Sequence, residues 1–328
     1  MNTGTLLIGA SLVLGALAAP VGIATAQDYP VKPVDVVIPF PPGGGTDTIG
    51  RIIFNAVDAG WSEPVVILNQ PGASGLVGTL SSMREAPDGY TLILGSTGSI
   101  LSLAREGMGM ESGAFHIEEV LTPITQLSAD PYIVAVHPSL GVENVEDLIA
   151  LAKADPGAIP YGSSGVGSAS HLTGVLFEQL AGVELRHVPY SGTGEAVPAL
   201  LGGDIKLMFA PPSSVLPHAE DGALNALAVT SEDRSPLHPD LPTVAEAGVE
   251  GFSAIGWFGL FAPADLDADA LEAVSVAVRD AMADPAVIES LAAQGAAPMP
   301  MLPEAYRDWV NTDIGMWLEL VELAEANN

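Results

Sequence analysis

The chain contains no cysteine among its 328 residues. Disulfide bridges, thiolate nucleophiles, cysteine-bound zinc and iron–sulfur clusters are therefore excluded. The six histidines form no H-E-x-x-H motif and no close pair along the sequence. A zinc site is accordingly not expected, and the sequence predicts neither a metal nor a cofactor.

Basic residues are scarce, with 10 Lys and Arg against 40 Asp and Glu, for a formal net charge of −30. Nucleic acids and anionic lipid headgroups are bound through clusters of Lys and Arg, so neither is expected as a partner. A chain this negative can hold an anion only where local uncharged donors offset the electrostatic repulsion. Salt screens that repulsion, with a Debye length of about 8 Å at physiological ionic strength.

Long apolar runs are confined to the N-terminus. Residues Leu6 to Ile23 carry no charge, and Ala24-Thr25-Ala26 provides a small-x-small cleavage site before Gln27. Residues 1–26 are therefore predicted to be a secretory signal peptide that is cleaved on export. No Lys or Arg precedes the run, and its length approaches that of a bilayer span, so a retained membrane anchor stays open as the alternative.

Length and hydrophobic patterning predict two α/β units, because a domain takes about 150 residues. Short apolar strands alternate with helical segments in both halves, which is typical of a parallel sheet with helices on both faces. Strands are predicted near 34–40, 65–68, 90–94, 132–136, 159–162, 185–190, 206–210 and 224–229, and C-terminal helices near 266–282, 284–293 and 303–325.

The segments that follow four of these strands are rich in Gly, Ser and Thr. They are Pro41–Thr46, Pro71–Gly75, Gly95–Ser99 and Gly162–Ser168. Ligands of open α/β sheets bind beyond the carboxyl ends of the strands, where free N–H groups of helix N-termini favour an anion. One such loop is more simply a turn, but four at equivalent positions predict a carboxylate cradle that needs no arginine.

Motifs of other functional classes are missing: there is no P-loop, no G-x-G-x-x-G after the first strand and no G-x-S-x-G elbow. His171 and Asp47 are the nearest candidate bases beside the Ser-rich loops. Both are more simply structural, with Thr46 or Asp47 capping a helix that starts near Thr48. A hydrolase or isomerase acting in the same cleft is therefore the less favoured alternative.

Five segments, taken in order, resemble the tripartite tricarboxylate transporter substrate-binding proteins, also called the Bug family. They are Tyr29–Asp47, Asn69–Gly75, Gly162–Leu172, Val188–Gly192 and Gly256–Pro263. Together they extend the resemblance over essentially the whole mature chain. It implies a periplasmic-binding-protein-like fold, the Venus flytrap, in which two α/β domains are joined by two crossovers.

The resemblance implies a first domain of residues 27–127 and 254–328 and a second of residues 128–253. Hinges are expected near Gln126–Asp130 and Gly251–Ala254, where the chain passes between the lobes. The implied protein is periplasmic, monomeric and not an enzyme. It would capture a small organic carboxylate, either a di- or tricarboxylate or an aromatic acid, for the large and small membrane subunits of the transporter.

The ligand contacts that the matching motifs imply come from both domains, with Phe40 walling the cleft and Asp47 capping its helix. They are Phe40, Gly44, Thr46, Asp47, Ala73 and Ser74 in the first domain, and Ser163, Ser164, Gly167, Ser168 and Tyr190 in the second.

The chain departs from the family pattern at Gln70, Ser74 and Ala210. Many members carry an acid at the position of Ala210, and in some of them that acid helps to select ligands with an amino group. Its replacement predicts a plain carboxylate rather than an amino acid. A sensory protein that presents its ligand to a receptor kinase stays open beside transport, because the sequence does not separate the two.

Overall fold

The computed structural model describes Met1, residues 29–111 and residues 113–326. The predicted export signal, from Leu6 to its cleavage site at Ala26, lies outside the described residues. Within the part of the chain that is described, no helix combines the length and apolar character needed to cross a membrane.

Two five-stranded sheets contain the strands that the structure describes. The strands are β1 (Val34–Ile38), β2 (Val65–Asn69), β3 (Thr91–Ser96), β4 (Leu121–Pro131), β5 (Ile133–Val136), β6 (Pro160–Ser163), β7 (Arg186–Pro189), β8 (Leu207–Ala210), β9 (Asn225–Val229) and β10 (Ile255–Pro263). Every residue of β5 and of β8 is buried, as expected of strands covered on both faces.

Helices connect the strands and complete the C-terminal region. They are α1 (Gly45–Gly60), α2 (Leu76–Ser82), α3 (Thr97–Arg105), α4 (Val145–Ala154), α5 (Ala169–Ala181), α6 (Thr193–Gly202), α7 (Pro212–Glu220), α8 (Ala268–Ala283), α9 (Pro285–Ala292) and α10 (Pro303–Ala326). The three predicted C-terminal helices are confirmed. Asn144 caps α4 by accepting the Asp147 N–H at 2.8 Å.

The two sheets have the same topology. Their strand orders are β2-β1-β3-β10-β4 and β7-β6-β8-β5-β9. In each sheet one strand, β10 or β5, runs antiparallel to both of its neighbours. The parallel pairing predicted for the alternating strands is found for β1 with β2 and β3 and for β6 with β7 and β8. The antiparallel strand in each sheet comes directly from the other half of the chain, so it enters in the opposite direction.

The chain crosses between the sheets twice. It leaves the first sheet where β4 ends at Pro131 and enters the second where β5 begins at Ile133. It returns between β9, which ends at Val229, and β10, which begins at Ile255. Two α/β lobes joined by two crossovers are thereby confirmed, whereas the domain limits at 127/128 and 253/254 stay predictions.

Apolar side chains of α10 link the cores of the two lobes. Ile314 and Trp317 of α10 belong to the same buried cluster as Leu172 and Phe177 of α5. A second cluster lies between the first sheet and helices α1, α8 and α9, and a third packs α6 and α7 on the second sheet. The lobes therefore make apolar contact beside the face that carries the Gly- and Ser-rich loops.

Candidate functional site

A cavity lies between the lobes, where the carboxyl ends of the parallel strands face each other. Its free volume is about 40 Å³, room for only a few water molecules, so the lobes lie close together around it. The lining residues are Phe40, Thr46, Ser96, Gly98, Asp130, Phe258, Trp257, Gly256 and Ala296 from the first lobe, and Tyr132, Ser164, Ala169, Ser170, Thr193 and Pro211–Ser213 from the crossover and the second lobe.

Helix α1 begins at Gly45, earlier than predicted, with Gly44 as its N-cap. Thr46 and Asp47 therefore lie inside the first turn and do not cap the helix, which corrects the expectation from sequence. Asp47 instead accepts a hydrogen bond from the N–H of Gly43, the residue before the cap, at 3.0 Å. Thr46 lines the cavity from the first turn, where backbone N–H groups have no partner within the helix.

The Asp47 carboxylate fixes the loop in front of α1. It accepts hydrogen bonds from Arg51 Nε at 2.9 Å and from Asn69 Nδ2 at 2.9 Å, besides the one from Gly43. Burial acts to raise the pKa of Asp47, but these hydrogen bonds outweigh burial and lower it below the ordinary value. The carboxylate is thus ionised and occupied by protein donors, so its role is to position the loop.

Helix α3 begins at the end of β3 with a capping box. Ser96 Oγ accepts the Ser99 N–H at 3.4 Å, and Ser99 Oγ accepts the Ser96 N–H at 2.9 Å. Ser96 and Gly98 both line the cavity. The Gly95–Ser99 segment, predicted as a loop after a strand, is therefore the junction of a strand with a helix whose N-terminus meets the cavity.

The loop between β6 and α5 is held by its own serines. Ser168 caps α5 by accepting the His171 N–H at 3.3 Å, and its hydroxyl donates to the Gly165 carbonyl at 2.7 Å. Ser164 N–H donates to Ser170 Oγ at 3.0 Å. Ser164 and Ser170 line the cavity, whereas Ser168 has no exposed surface and supports the loop from beneath.

The remaining predicted contacts lie beside the cavity. Ala73, Ser74 and Tyr190 line a neighbouring groove between the lobes, together with Gly165 and Arg105. Gly167 packs against Arg105, and a Cβ at that position would overlap the guanidinium. Of the implied contacts, Phe40, Thr46 and Ser164 line the cavity itself, and the rest shape its rim or its loops.

Glycines bring the two lobes into backbone contact at the cavity rim. A Cβ at Gly44 would lie 2.6 Å from Thr193 Oγ1, and one at Gly194 would lie 2.6 Å from the Pro42 carbonyl oxygen. Gly45 N–H donates to Thr193 Oγ1 at 3.3 Å across the same junction. The loop before α1 and the start of α6 therefore meet in a contact that larger residues would prevent.

Asp130, Tyr132 and Ser213 are cavity residues that sequence reasoning missed. Asp130 lies in β4, a strand that was not predicted, and the segment had been assigned only to a hinge. Burial raises the pKa of Asp130 to about 6. The available signal was a polar residue two positions before the strand predicted at 132–136, and no loop motif connects it with the site.

Ser163 and His187 form a pair that resembles a nucleophile and its base, with Oγ and Nε2 2.6 Å apart. Ser163 has no exposed surface, however, and its hydroxyl lies 3.1 Å from the Gly165 carbonyl, to which it donates. Burial lowers the pKa values of His187 and of the adjacent His171 to about 4, so both rings are neutral. This arrangement supports the loop and gives a substrate no access to the oxygen.

A cluster of three or more side chains suited to a metal ion does not occur among the described residues. The polar groups that line the cavity are hydroxyls, helix N-termini and the carboxyl group of Asp130, and aromatic side chains form its apolar walls.

Equivalent sheets in two lobes, with a cavity at the facing strand ends and helix N-termini around it, define a two-lobed solute-binding protein. The family model described as Tripartite tricarboxylate transporter family receptor matches residues 49–324. The chain belongs to that family, which is one of solute-binding proteins rather than enzymes, and the resemblance found in the sequence is confirmed.

Relatives and solved structures match over nearly the whole chain. Protein BugT of Bordetella pertussis is 35% identical over 324 residues, which are 98% of this chain and 98% of BugT. Rpa4515 of R. palustris, solved with adipate, aligns with a TM-score of 0.84 and 31% identity, covering 91% of this chain and 99% of that one. MatC from Rhodopseudomonas palustris with bound malate aligns with a TM-score of 0.81 and 29% identity, covering 89% and 100%.

Proposed function

We propose that this chain captures a small organic carboxylate in the cavity between its lobes and delivers it to the large and small membrane subunits of a tripartite tricarboxylate transporter. One observation carries the proposal: hydroxyls and helix N-termini surround a cavity whose described lining contains no Lys, Arg or His. The dicarboxylates in the related structures, adipate and malate, support the same class of ligand.

Uncharged donors suffice for this task. Each charge-assisted hydrogen bond to a carboxylate contributes roughly 1.5–3 kcal/mol, and micromolar affinity requires about −8 kcal/mol. Thr46 and Ser164, which line the cavity from opposite lobes, are the hydroxyl donors that we assign to the carboxylate. Phe40, which is 6% exposed, supplies an apolar wall.

We propose that the ligand docks on the first lobe and that the second lobe then closes over it. The hinges are placed near Gln126–Asp130 and Gly251–Ala254, and the domains at residues 27–127 with 254–328 and residues 128–253. Closure removes water from the cavity and strengthens each hydrogen bond to the carboxylate. No covalent step is needed for this function, and the protein acts as a monomer.

Export by the segment 1–26 would place the protein in the periplasm, where it meets its ligand before the membrane subunits do. Mass spectrometry of the secreted protein tests this proposal. A mature chain beginning at Gln27 supports cleavage, and a chain that retains Leu6 to Ile23 supports the membrane anchor instead.

A thermal-shift screen of organic acids, followed by calorimetry, tests the capture step. Thr46→Val and Ser164→Ala are each expected to weaken binding of the best acid by about tenfold, because each removes one donor to the carboxylate. Ser290→Ala is the matched control, since Ser290 is exposed on α9, its hydroxyl donates to the Ala286 carbonyl, and it does not line the cavity. The proposal fails if no acid stabilises the protein, or if both cavity variants bind as tightly as the control.

Uptake into vesicles tests the delivery step. Proteoliposomes that contain the large and small membrane subunits are expected to accumulate the labelled acid only when the loaded protein is added outside. If the acid does not enter, yet the loaded protein changes the autophosphorylation of a receptor kinase, the sensory alternative replaces transport.

A further inference from the structure

The cavity lining contains one carboxyl group among the described residues, that of Asp130. Asp130 lies in β4 in register with Gly256 of β10, and it is 8% exposed. Its Oδ1 accepts a hydrogen bond from the backbone N–H of Ala297 at 3.3 Å. The acid is thus held at the wall of the cavity by the framework of the first lobe.

No basic side chain among the described lining residues offsets this carboxyl. Burial raises its pKa to about 6, and the smaller opposing effects come from the Ser128 hydroxyl and the Ala297 N–H. At neutral pH the group is therefore ionised. A buried carboxylate without a cation is unfavourable until a partner supplies the positive charge.

The cavity thus offers two unlike surfaces to a ligand. The first turns of α1, α5 and α6, with the hydroxyls of Thr46, Ser164 and Thr193, favour a carboxylate. Asp130 repels a second carboxylate and attracts a cation. A ligand with one group of each sign satisfies both surfaces at once.

We propose that Asp130 determines specificity and that the cavity takes an acid that also carries a protonated amine. The ligand carboxylate binds the helix N-termini and hydroxyls, and its ammonium group binds the Asp130 carboxylate. This inference rests on the proposed function, because it specifies the ligand of the same cavity. It reverses the expectation that Ala210 favours a plain carboxylate as the ligand. The acid that many family members carry at the position of Ala210 is missing here, and Asp130 of β4 supplies an acid to the cavity instead.

Calorimetric titration with matched acids tests the inference. The pairs are succinate with aspartate, glutarate with glutamate, and butyrate with 4-aminobutyrate, each differing by one amino group. In at least one pair the amino member is expected to bind the wild-type protein at least tenfold more tightly than its partner. This ranking uses the wild-type protein alone, so it does not depend on the folding of any variant.

Asp130→Asn keeps the size of the side chain and removes its charge. It is expected to weaken binding of the preferred amino acid at least tenfold and to leave binding of the plain acid unchanged or tighter. Asp155→Asn, at an exposed residue that follows α4, is the control and should change neither affinity. Circular dichroism and the melting temperature establish that both variants fold.

The outcomes separate the two proposals. If plain acids bind more tightly than their amino partners, or if Asp130→Asn weakens both members of a pair equally, the inference is overturned while carboxylate capture stands. If neither member of any pair binds, and no acid in the wider screen does, carboxylate capture fails and the inference fails with it.

Discussion

Buried carboxyl groups in this acidic chain are held in two opposite ways. Asp47 is surrounded by donors from Gly43, Arg51 and Asn69, which lower its pKa although burial acts against them. Asp313 is buried with fewer donors, and burial raises its pKa to about 6. The first group stabilises the loop that lines the cavity, and the second destabilises the fold whenever it is ionised.

Asp313→Asn is predicted to stabilise the protein at neutral pH. The raised pKa means that the native state binds the proton more tightly than the unfolded state between about pH 4 and 6, so stability is lost as pH rises through that window. Asparagine removes the loss and keeps an oxygen that can accept the Trp257 indole N–H, now at 2.6 Å. The gain should grow from about pH 4 to a plateau above pH 6 of up to about 2–3 kcal/mol.

Urea denaturation at a series of pH values measures this gain. Asp280→Asn, at an exposed position on α8, serves as the control and should change the free energy of unfolding little. A loss of stability in Asp313→Asn that is equal at pH 4 and pH 7 would contradict the assignment of burial as the cause.

Individual site residues were predictable where a loop motif carried them. Thr46 and Ser164 belong to Gly- and Ser-rich segments after strands, and Phe40 ends the predicted strand before the first of these segments. The structure places all three in the cavity. Asp130 lacks such a motif, and the contact of Ser163 with His187 joins residues on neighbouring strands. Contacts of this kind depend on strand order, which one sequence does not reveal.

Among the elements, the loop before α1 and the start of α6 form a close contact between the lobes at the cavity rim. Gly192 and Gly194 lie against Pro41 and Pro42 of the other lobe. A Cβ added at Gly192 would lie 2.6 Å from Pro41 Cδ, and one added at Gly194 would lie 2.6 Å from the Pro42 carbonyl oxygen. The absence of a Cβ is what permits this contact. The two glycines thus permit the lobes to come this close at the rim.

Gly194→Ala is predicted to weaken ligand binding by at least tenfold. The added Cβ would meet the Pro42 carbonyl, which is backbone and cannot rotate away, so the lobes would stay farther apart. Calorimetry measures the affinity, and small-angle scattering measures the compaction that ligand produces.

Gly202→Ala is the control on the same helix, because its Cβ would meet only Asp204 Oδ2 at 3.9 Å. It should bind and compact like the wild type, and both variants should melt within a few degrees of it without ligand. Equal affinity in the two variants would show that this contact does not limit closure.

Elements with strong local signals were predicted, and those defined by partners were not. Helices α8, α9 and α10 follow from apolar periodicity and caps, such as Asp267, which accepts the Ala270 N–H at 3.2 Å. Strands β4 and β10 were missed. Their pairing is antiparallel and includes two register shifts, so it depends on where the chain returns from the other lobe.

At the scale of the whole molecule, the net charge of −30 acts against compactness. We predict that the melting temperature rises by several degrees between about 10 mM and about 500 mM NaCl, because the Debye length falls from about 30 Å to a few Å. Differential scanning calorimetry measures the rise, and KCl should reproduce it if screening is the cause. A melting temperature that is highest in salt-free buffer would contradict self-repulsion as the cause.

The central claim is that uncharged donors from two facing lobes hold a carboxylate inside a strongly negative protein. A crystal structure with the best acid from the screen tests it most directly. We predict that the carboxylate lies in the cavity, hydrogen-bonded to N–H groups at the starts of α1 and α5 and to the hydroxyls of Thr46 and Ser164. A carboxylate found outside this cavity, or bound mainly by Arg105 or another basic side chain, would contradict the account.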